Sequence, residues 1–354
     1  MKDHCQALVL EILSSTATAA SASASARTLW VMDENPAIDG LLKLNGSTSI
    51  DVISNRYDTR EQMAKLRINT FLSDFDFTGL GLYEQIVYRI SKEKMLTHHV
   101  INEALRHLTA DGKLYVTGEK TDGIKSITKQ AAELYQSDVT ARKFGNAYLA
   151  QFSRPSDAIL GSKRLPTAGY TDLRLISHSL MNFYSKPGVF GWEKIDKGSQ
   201  LLVSCLPPVI QYMKGVDSVL DLGCGWGYLM LATQSIPIGV RVATDNNVAA
   251  VDAANRNFTE TGMNVQCVVD DCGSQIRQRF DLILCNPPFH QGFQVSDTMT
   301  EKFLKSASRL SRRSTRAIFV VNQFIPLQKL AESYFKESRL LASAHGFNVF
   351  ELRP

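Results

Sequence analysis

The sequence predicts an α/β fold in which two domains of similar design follow one another along the chain. Three observations support this prediction. Short apolar runs alternate with helical patterns in both halves of the 354 residues, as in a parallel sheet that is covered by helices. A glycine-rich turn at 223–227 directly follows one of the apolar runs. The N-terminal half repeats the strand and helix pattern but lacks this turn.

The C-terminal half contains five predicted strands and three predicted helices. Gly262 stands just after the second helix, where glycine commonly ends a helix because it tolerates the left-handed conformation. Strands that alternate with helices pair in parallel, so we expect one sheet with helices on both faces. The predicted strands are 218–222, 241–244, 265–269, 280–285 and 317–321, and the predicted helices are 228–233, 248–261 and 300–310.

The N-terminal half follows the same pattern. The run Leu114–Thr117 can be aligned with Ile318–Val321, and each run is followed by a helix and a closing strand. We therefore predict a duplication, with chance similarity between two α/β domains as the alternative. Prolines and glycines in the stretch 154–169 indicate a linker, so the predicted domains are 1–153 and 170–354. The predicted N-terminal strands are 28–32, 50–53, 85–90 and 113–117.

Composition places the chain among soluble globular proteins, since 44% of its residues are hydrophobic and 21% are charged. The net charge of +4 is compatible with a polyanionic partner without demanding one. The cysteines have no paired spacing and the histidines are not clustered, so we expect no metal site and a reducing compartment. The apolar runs are too short to cross a membrane. The Ser- and Ala-rich stretch 14–26 is interpreted as a connector after a short helix, with a targeting segment as the alternative. We expect the protein to be a cytoplasmic monomer.

Gly223, Gly225 and Gly227 follow the first strand of the C-terminal half. Glycines let the backbone pass close to a ligand, and such a turn brings backbone N–H groups and a helix N-terminus to the end of the strand. Asp245 ends the next strand, where a carboxylate can accept hydrogen bonds from ribose hydroxyls. The pattern therefore predicts a site for a nucleotide-like cofactor.

Two cofactors compete for this site. A dinucleotide site normally has a Gly-x-x-Gly ending, which the turn lacks. S-adenosylmethionine has no pyrophosphate, and Asp221 could offer a carboxylate to its ammonium group, directly or through water. We therefore expect S-adenosylmethionine. Asp271, or Asp270 in its place, follows the third strand and is a candidate to meet the adenine amino group, and a solvated pair of loop carboxylates is the alternative.

The fourth strand of the C-terminal half ends in Asn286, Pro287, Pro288 and Phe289. An amine on an aromatic ring is a poor nucleophile because its lone pair is delocalised, and acceptors on its N–H bonds orient that lone pair. The Asn286 side chain and the Pro287 carbonyl can accept hydrogen bonds from these N–H groups, and Phe289 can stack on the ring. Asn286 is also a candidate contact of the cofactor. With the glycine turn, these residues predict methyl transfer to an amino nitrogen, in which alignment supplies most of the acceleration.

The residues around these motifs resemble the bacterial ribosomal RNA guanine-N2 methyltransferases. The segment 193–202, preceded by Pro187–Phe190, is similar to the segment ahead of the catalytic domain in that family. Asp221–Gly227 and Asn286–Gly292 also fit the family pattern. The resemblance covers roughly residues 80 to 354. It implies two tandem Rossmann-like class I methyltransferase domains, of which the N-terminal one is degenerate.

Within the family, the segments 118–126 and 198–202 are more similar to the members that act on the small ribosomal subunit. The resemblance therefore implies methylation of a guanine N2 in 16S rRNA, with 23S rRNA as the alternative. Gly191 and Trp192 stand where the family usually has Ser and Arg. Trp226 replaces a small residue in the glycine turn, where it could narrow the pocket or cover the adenosine.

Other functions are compatible with the same motifs. Turns of the Asn-Pro-Pro-aromatic type also serve adenine-N6 and glutamine methylation, and those enzymes commonly have Tyr at the position of Phe289. A non-catalytic RNA-binding assembly factor that has kept the fold is a further alternative. The intact Gly223, Gly225, Asp245 and Asn286 argue against it.

Basic residues recur at three- and four-residue steps after position 300, a spacing that would line one face of a helix and could meet phosphates. A solvated helix face is the alternative. The target guanine must leave its stack to reach the pocket. The basic residues are Lys302, Lys305, Arg309, Arg312 or Arg313, and Arg316, and the candidates for RNA contact in the N-terminal domain are Lys92, Lys94, Lys120 and Lys125.

Overall fold

The computed structural model describes residues 3–20, 27–32, 40–156, 163–288 and 297–354. The chain forms two compact units, Met1–Asp172 and Leu173–Pro354. The division between them lies shortly after the predicted linker 154–169. Within the described ranges, no helix is long and apolar enough to span a membrane.

The first unit is built on a seven-stranded sheet in the order β3-β2-β1-β4-β5-β7-β6. Strands β1 to β5 pair in parallel, and β7 pairs antiparallel with β5 and β6. The strands are β1 (Thr28–Val31), β2 (Ile50–Ser54), β3 (Asn69–Leu72), β4 (Tyr83–Arg89), β5 (Leu108–Glu119), β6 (Arg142–Phe144) and β7 (Ala147–Ser153). The helices are α1 (His4–Ala20), α2 (Tyr57–Lys65), α3 (Lys94–His107) and α4 (Ile124–Leu134), with short 3-10 helices at Leu41–Leu44 and Lys120–Asp122.

The second unit has its own seven-stranded sheet, in the order β12-β11-β10-β13-β14-β16-β15, and a separate hairpin of β8 and β9. The strands are β8 (Arg174–Ser177), β9 (Asn182–Ser185), β10 (Ser218–Leu222), β11 (Val240–Asp245), β12 (Gln266–Val269), β13 (Phe280–Cys285), β14 (Ser311–Asn322), β15 (Glu337–Ala344) and β16 (Phe347–Arg353). The helices are α5 (Lys197–Gln211), α6 (Tyr228–Leu231), α7 (Val248–Glu260), α8 (Asp297–Arg309) and α9 (Leu327–Ala331).

The two sheets have the same strand order, which confirms the predicted repetition of one α/β design. Each sheet has a hydrophobic core on both faces. In the first unit, α1 and α2 pack on one face and α3 and α4 on the other. In the second unit, α5, α6 and α7 pack on one face and α8 and α9 on the other. The helices therefore cover both faces, as predicted.

A bulge between β4 and β5, and another between β13 and β14, set the correspondence between the two units. Counted from the bulge, Leu114 of β5 corresponds to Ala317 of β14. The predicted alignment of Leu114 with Ile318 is therefore wrong by one residue. Both strands run through the middle of a sheet that is covered on both faces, so their apolar runs show no alternation that would define the register.

The predicted site residues lie where the parallel strands β10 to β13 end. The glycine turn follows β10, Asp245 ends β11, Asp270 follows β12, and Asn286 follows β13. The chain leaves β10 toward β11 on one side, and β13 lies on the other side of β10. Ligands of open α/β sheets bind at the carboxyl ends of the strands beside such a reversal of strand order, so this edge is where a cofactor is expected.

Candidate cofactor and transfer site

The three glycines of the turn all have left-handed backbone conformations, with φ of 83° at Gly223, 54° at Gly225 and 94° at Gly227. A Cβ at Gly227 would lie 2.7 Å from the ring of Phe258, and a Cβ at Gly223 would lie 3.2 Å from Phe303. Packing therefore disfavours a side chain at Gly227, and a Cβ at Gly223 would require Phe303 to shift by a few tenths of an ångström. A Cβ at Gly225 would meet no other described residue within 4 Å, so the space beside this glycine is open to a ligand.

The backbone N–H groups of the turn are used within the protein. Gly223 and Cys224 both donate to the carbonyl of Thr244 at 2.9 Å, and Gly227 donates to the carbonyl of Cys224 at 2.9 Å. Gly225 donates to Oδ2 of Asp245 at 2.9 Å. The expected row of N–H groups facing a ligand is therefore not formed by these four residues. Such a turn does not cradle a pyrophosphate, which favours a cofactor without one.

Asp221 is a fully buried carboxyl inside a strand whose five residues are all buried. Its Oδ2 accepts a hydrogen bond from the backbone N–H of Met230 at 3.1 Å, and its Oδ1 has no partner among the described residues. Burial raises the pKa of Asp221 to about 7, the bond from Met230 opposes this rise, and the charge of Asp245 adds to it. An unsatisfied buried acceptor of this kind favours a cationic donor, such as the ammonium group of S-adenosylmethionine.

Asp245 holds the turn in place from the neighbouring strand. Its Oδ2 accepts from Gly225 N at 2.9 Å, and its Oδ1 accepts from Asn247 N at 2.9 Å. The side chain of Asn247 in turn donates to the carbonyl of Gly188 at 3.2 Å. Each carboxylate oxygen has a second lone pair, so these bonds are compatible with the predicted hydrogen bonds to ribose.

The two acidic residues after β12 have different surroundings. Asp270 is fully buried, and its oxygens accept from Ser274 Oγ at 2.5 Å and from Gln275 N at 3.0 Å, so this side chain builds the local turn. Asp271 is partly exposed and forms an ion pair with Lys302 Nζ at 2.5 Å. Of the two candidates for the adenine amino group, Asp271 is therefore the more accessible.

Asn286 follows β13, and its side-chain amide is held at one end. Nδ2 donates to Ser199 Oγ at 2.8 Å and to Asp196 Oδ2 at 3.0 Å. Oδ1 is buried and has no hydrogen-bond partner in the described part of the chain. The Asn286 amide therefore presents an acceptor oxygen, and its predicted role as an amine clamp stays a prediction. Pro287 is buried beside it, whereas Phe289 lies outside the described residues.

Asp196 and Ser199 were not predicted as site residues, although both lie in the segment 193–202 that carries the family resemblance. Asp196 caps the N-terminus of α5 by accepting from the backbone N–H of Ser199 at 2.8 Å. A local signal for this cap exists in the sequence, because Asp is among the residues that favour the N-cap position. No local signal connects the cap with Asn286, which lies far along the chain.

Trp226 is buried in the hydrophobic core of the second unit. Its ring stacks on Phe183 of β9, with 3.8 Å between centroids and 9° between planes. Its backbone carbonyl accepts from Asn257 Nδ2 at 2.9 Å, and the same amide group bonds the carbonyl of Tyr184. Trp226 therefore anchors the β8–β9 hairpin to the glycine turn and to α7.

The predicted basic helix face is wrong. Helix α8 ends at Arg309, and Ser311 already begins β14, so the later arginines lie on a strand. Four of these side chains contact other residues of the protein. Lys302, Arg312 and Arg316 form ion pairs with Asp271, Asp281 and Glu351, respectively. Arg309 donates hydrogen bonds to the carbonyls of Gly273 and Ile276. The three- and four-residue spacing of the basic residues continues past the end of α8, so it does not indicate that they all lie on one face of a helix.

The thiols near the site are poor nucleophiles. Burial raises the pKa of Cys224 and of Cys285 well above the ordinary value for a thiol. Across the described ranges, no group of His, Cys, Asp and Glu side chains could hold a metal ion. The raised pKa values of Cys224 and Cys285 disfavour the thiolate form that a nucleophilic cysteine needs.

Two family profiles match the chain and together span most of it. "Methyltransferase small domain N-terminal" matches residues 25–148, and "Methyltransferase small domain" matches residues 180–351. The chain belongs to the methyltransferase small domain family. The order of the two matches agrees with the two units, and the glycine turn of the methyltransferase lies in the second of them.

Two bacterial relatives are both named ribosomal RNA small subunit methyltransferase C. The chain is 27% identical to that of Haemophilus influenzae over 284 residues, which cover 79% of this chain and 82% of the relative. It is 28% identical to that of Pectobacterium atrosepticum over 316 residues, which cover 86% of this chain and 85% of the relative. These relatives confirm the predicted resemblance to the small-subunit members of the family.

A solved structure supports the fold over nearly the whole chain. It is that of a T. thermophilus 16S rRNA N2 methyltransferase in complex with AdoMet and guanosine, with a TM-score of 0.79 and 22% sequence identity. The match covers 93% of this chain and 88% of that chain. The methyltransferase therefore has the predicted architecture of two tandem class I domains.

Proposed function

We propose that this methyltransferase transfers the methyl group of S-adenosylmethionine to the N2 amine of a guanosine in 16S ribosomal RNA. Two buried acceptor oxygens, Asp221 Oδ1 and Asn286 Oδ1, carry the proposal, because neither has a partner among the described residues. Asp221 lies in β10 and pairs with Leu284 of β13, and Asn286 directly follows β13. A charged acceptor suits the ammonium group of the cofactor, and a neutral acceptor suits an amine N–H.

The residues at the end of β10 fit S-adenosylmethionine. Asp221 would bind the ammonium group, and the open space at Gly225 would admit the cofactor. We propose that Asp245 bonds the ribose hydroxyls and that Asp271 meets the adenine amino group, while Gly223 and Gly227 allow the close packing of the turn. When bound, the cofactor supplies a methyl group on a sulfonium, which is already a strong electrophile.

Asn286 and Pro287 act on the nucleophile. The Asn286 Oδ1 and the Pro287 carbonyl accept hydrogen bonds from the two N–H groups of the amine. The lone pair of the amine nitrogen then points at the methyl carbon. A bond between the amine nitrogen and the methyl carbon forms as the carbon–sulfur bond breaks, and the amine then releases one proton to water. No strong base is needed, because the proton leaves after the transfer. Phe289 is proposed to stack on the base.

The substrate assignment rests on the relatives, which are named for the small subunit, and on the N2 methyltransferase of the same fold. A paired guanosine cannot reach a buried amide, so the base must unstack and enter the site. We propose that the first unit contributes RNA contacts through Lys94 and Lys120, which are exposed where β4 and β5 end. The enzyme would act in the cytoplasm, where small subunits are assembled.

The decisive experiment is mass spectrometry of 16S and 23S rRNA from a strain that lacks this protein. We expect the loss of one N2-methylguanosine from 16S rRNA and its return when the protein is supplied again. Loss from 23S rRNA would assign the enzyme to the large subunit instead. Loss of an N6-methyladenosine would show that the amine is not guanine N2, and unchanged rRNA would contradict the proposal.

Calorimetry of the purified protein with S-adenosylmethionine tests the cofactor independently of the RNA. We expect one site in the second unit. The absence of binding heat at several temperatures would favour a non-catalytic assembly factor over an enzyme.

A further inference from the structure

The Asn286 amide is fixed by two residues at the start of α5. Its Nδ2 has two hydrogens, and these are donated to Asp196 Oδ2 at 3.0 Å and to Ser199 Oγ at 2.8 Å. We propose that Asp196 and Ser199 are positioning residues, which hold Asn286 so that its oxygen, and not its NH₂ group, faces the target amine. This inference rests on the proposed function and assigns a role to residues outside the two sequence motifs.

The orientation of an amide decides whether it can help an amine react. Turned by 180°, Asn286 would present its NH₂ group to the incoming amine, and two donor groups would then face each other. In that orientation Oδ1 would also face the Asp196 carboxylate, where two acceptors repel. The Ser199 hydroxyl can donate or accept and therefore tolerates both orientations. Asp196 is thus the residue that selects the orientation, and Ser199 supports it.

The start of α5 is shaped to hold this carboxylate. Asp196 Oδ2 accepts from Ser199 N at 2.8 Å as the helix cap, so the oxygen that meets Asn286 is itself held in place. Gly198 lies between the two residues, and a Cβ there would lie 3.0 Å from Asp196 Oδ2 and 2.8 Å from the ring of Phe347. Glycine at this position leaves room for the carboxylate between the helix and the strand β16.

The first unit contains the same connection without the acceptor. Asp3 precedes α1, and its Oδ1 accepts from Gln6 N at 3.0 Å, as in a helix cap. Its Oδ2 forms an ion pair with Arg89 Nη1 at 2.6 Å. By strand register, Arg89 corresponds to Asn286. The link from helix cap to strand end is therefore part of the shared architecture, but a guanidinium has only donors and cannot accept from an amine.

Three variants in the second unit test the positioning role. Asp196→Ala should lower kcat about 10- to 100-fold, as expected for a misaligned reacting group, with an unchanged Kd for S-adenosylmethionine. Ser199→Ala should lower kcat less. Asp196→Asn should retain most of the activity, because its amide oxygen can accept from both Ser199 and Asn286. The matched control is Asp3→Ala, which removes the corresponding helix cap of the first unit. It should lower the melting temperature about as much as Asp196→Ala does, but it should leave kcat unchanged.

A second background separates positioning from general loss of stability. In Asn286→Asp, two carboxylates meet at positions 196 and 286, and the repulsion should lower kcat. Adding Asp196→Asn removes one of the two charges and should raise kcat at least about tenfold, because a close contact between like charges is strongly unfavourable. The same change in the wild-type background should not raise it. This reversal of sign is not expected from a cap that only stabilises the helix.

The outcomes are distinguishable. The positioning role is overturned if Asp196→Ala keeps the wild-type kcat, or if Asp196→Asn does not raise kcat in the Asn286→Asp background. It is also overturned if kcat in the Asp196 and Ser199 variants falls only in proportion to the folded fraction. A wild-type protein that binds no S-adenosylmethionine, or that methylates no guanosine in 16S rRNA, would overturn the proposed function and the positioning role together.

Discussion

The two units share one sheet topology but differ where their parallel strands end. By strand register, Trp30 occupies the position of Asp221, and Met32 occupies that of Gly223. Trp30 and Met32 are buried in an apolar core against α1. The first unit has therefore filled with side chains the place where the second unit keeps a buried carboxylate and a glycine.

The neighbouring strand ends differ in the same way. Ser54 corresponds to Asp245, and its hydroxyl accepts from Arg56 N at 3.3 Å, but it has no second oxygen to hold a turn. Arg89 corresponds to Asn286 and brings donors instead of an acceptor. The comparison shows that apolar packing maintains the topology in both units, whereas the chemistry depends on a few polar positions at one edge of the sheet.

The largest effect is expected for Asn286, which directly follows β13. Asn286→Ala should lower kcat by about 1000-fold, the scale for loss of a group that acts in the transition state. The Kd for S-adenosylmethionine should stay within a few-fold, because Asp221, Asp245 and Asp271 are proposed to bind the cofactor and remain intact in this variant. The matched variant Arg89→Ala removes a partly exposed ion pair and should cost at most about 1 kcal/mol of stability with no change in kcat. Steady-state kinetics and calorimetry check both variants, and equal kcat losses would erase the distinction between the units.

The next effect concerns two left-handed glycines that each precede a helix. Gly227→Ala would place a Cβ 2.7 Å from Phe258, whereas Gly123→Ala in the first unit would meet no described neighbour within 4 Å. Both variants carry the left-handed cost of about 1–2 kcal/mol. Gly227→Ala should add about 1–3 kcal/mol of overpacking. Denaturant unfolding of both variants measures the difference, and equal losses would show that φ alone requires the glycine of the turn.

A smaller effect concerns the pH dependence of cofactor binding. The pKa of Asp221 is about 7, so its carboxylate becomes protonated as the pH falls below that value. The affinity for S-adenosylmethionine should therefore decrease as the pH is lowered below 7, by up to about tenfold per pH unit. Below pH 7, binding of the cofactor should release a proton. Calorimetry at pH 6 and pH 8 in two buffers measures both quantities. Asp221→Asn should bind more weakly and without this slope, and a slope that persists in the variant would assign it to another group.

The same carboxyl affects stability in the opposite direction. Because the pKa in the folded protein lies above the ordinary value of 3.8, the protonated form is favoured by folding. The contribution of Asp221 to the free energy of unfolding is fully present below pH 3.8 and declines as the pH rises to about 7. Trp30 at the corresponding position of the first unit adds no such dependence.

The smallest effect is expected for RNA contacts of the first unit. The double variant Lys94→Ala with Lys120→Ala should weaken RNA binding a few-fold and reduce the steepness of its salt dependence, because each phosphate contact releases counterions. The control Lys65→Ala changes an exposed lysine in the last turn of α2, away from the strand ends. Filter binding at several salt concentrations compares the two, and an equal effect of the control would mean that net charge alone matters.

Much of the fold could be read from the sequence. Strands β10 and β13 have the predicted bounds, because each is a short apolar run that is flanked by turn residues. The basic residues after position 300 were misread, since their spacing continues from α8 into β14. Local spacing reports a helix face only as far as the helix extends, and the end of α8 depends on how β14 joins the sheet.

The sequence by itself determined the class of the protein. The glycine turn with its acid, the Asn-Pro-Pro turn and the repeated strand pattern are local features, and they predicted the fold, the cofactor and the chemistry of the acceptor. Local patterns carry this information because backbone conformation and turn chemistry depend on neighbouring residues.

Only the tertiary structure decided how these features act together. It brought Asp196 and Ser199 to Asn286, left one oxygen of Asn286 and one of Asp221 without partners among the described residues, and placed Trp226 against Phe183. It also defined the register that equates Arg89 with Asn286. These relations join residues that are distant in the chain. They follow from the order of the strands and the packing of the helices, which local patterns do not specify.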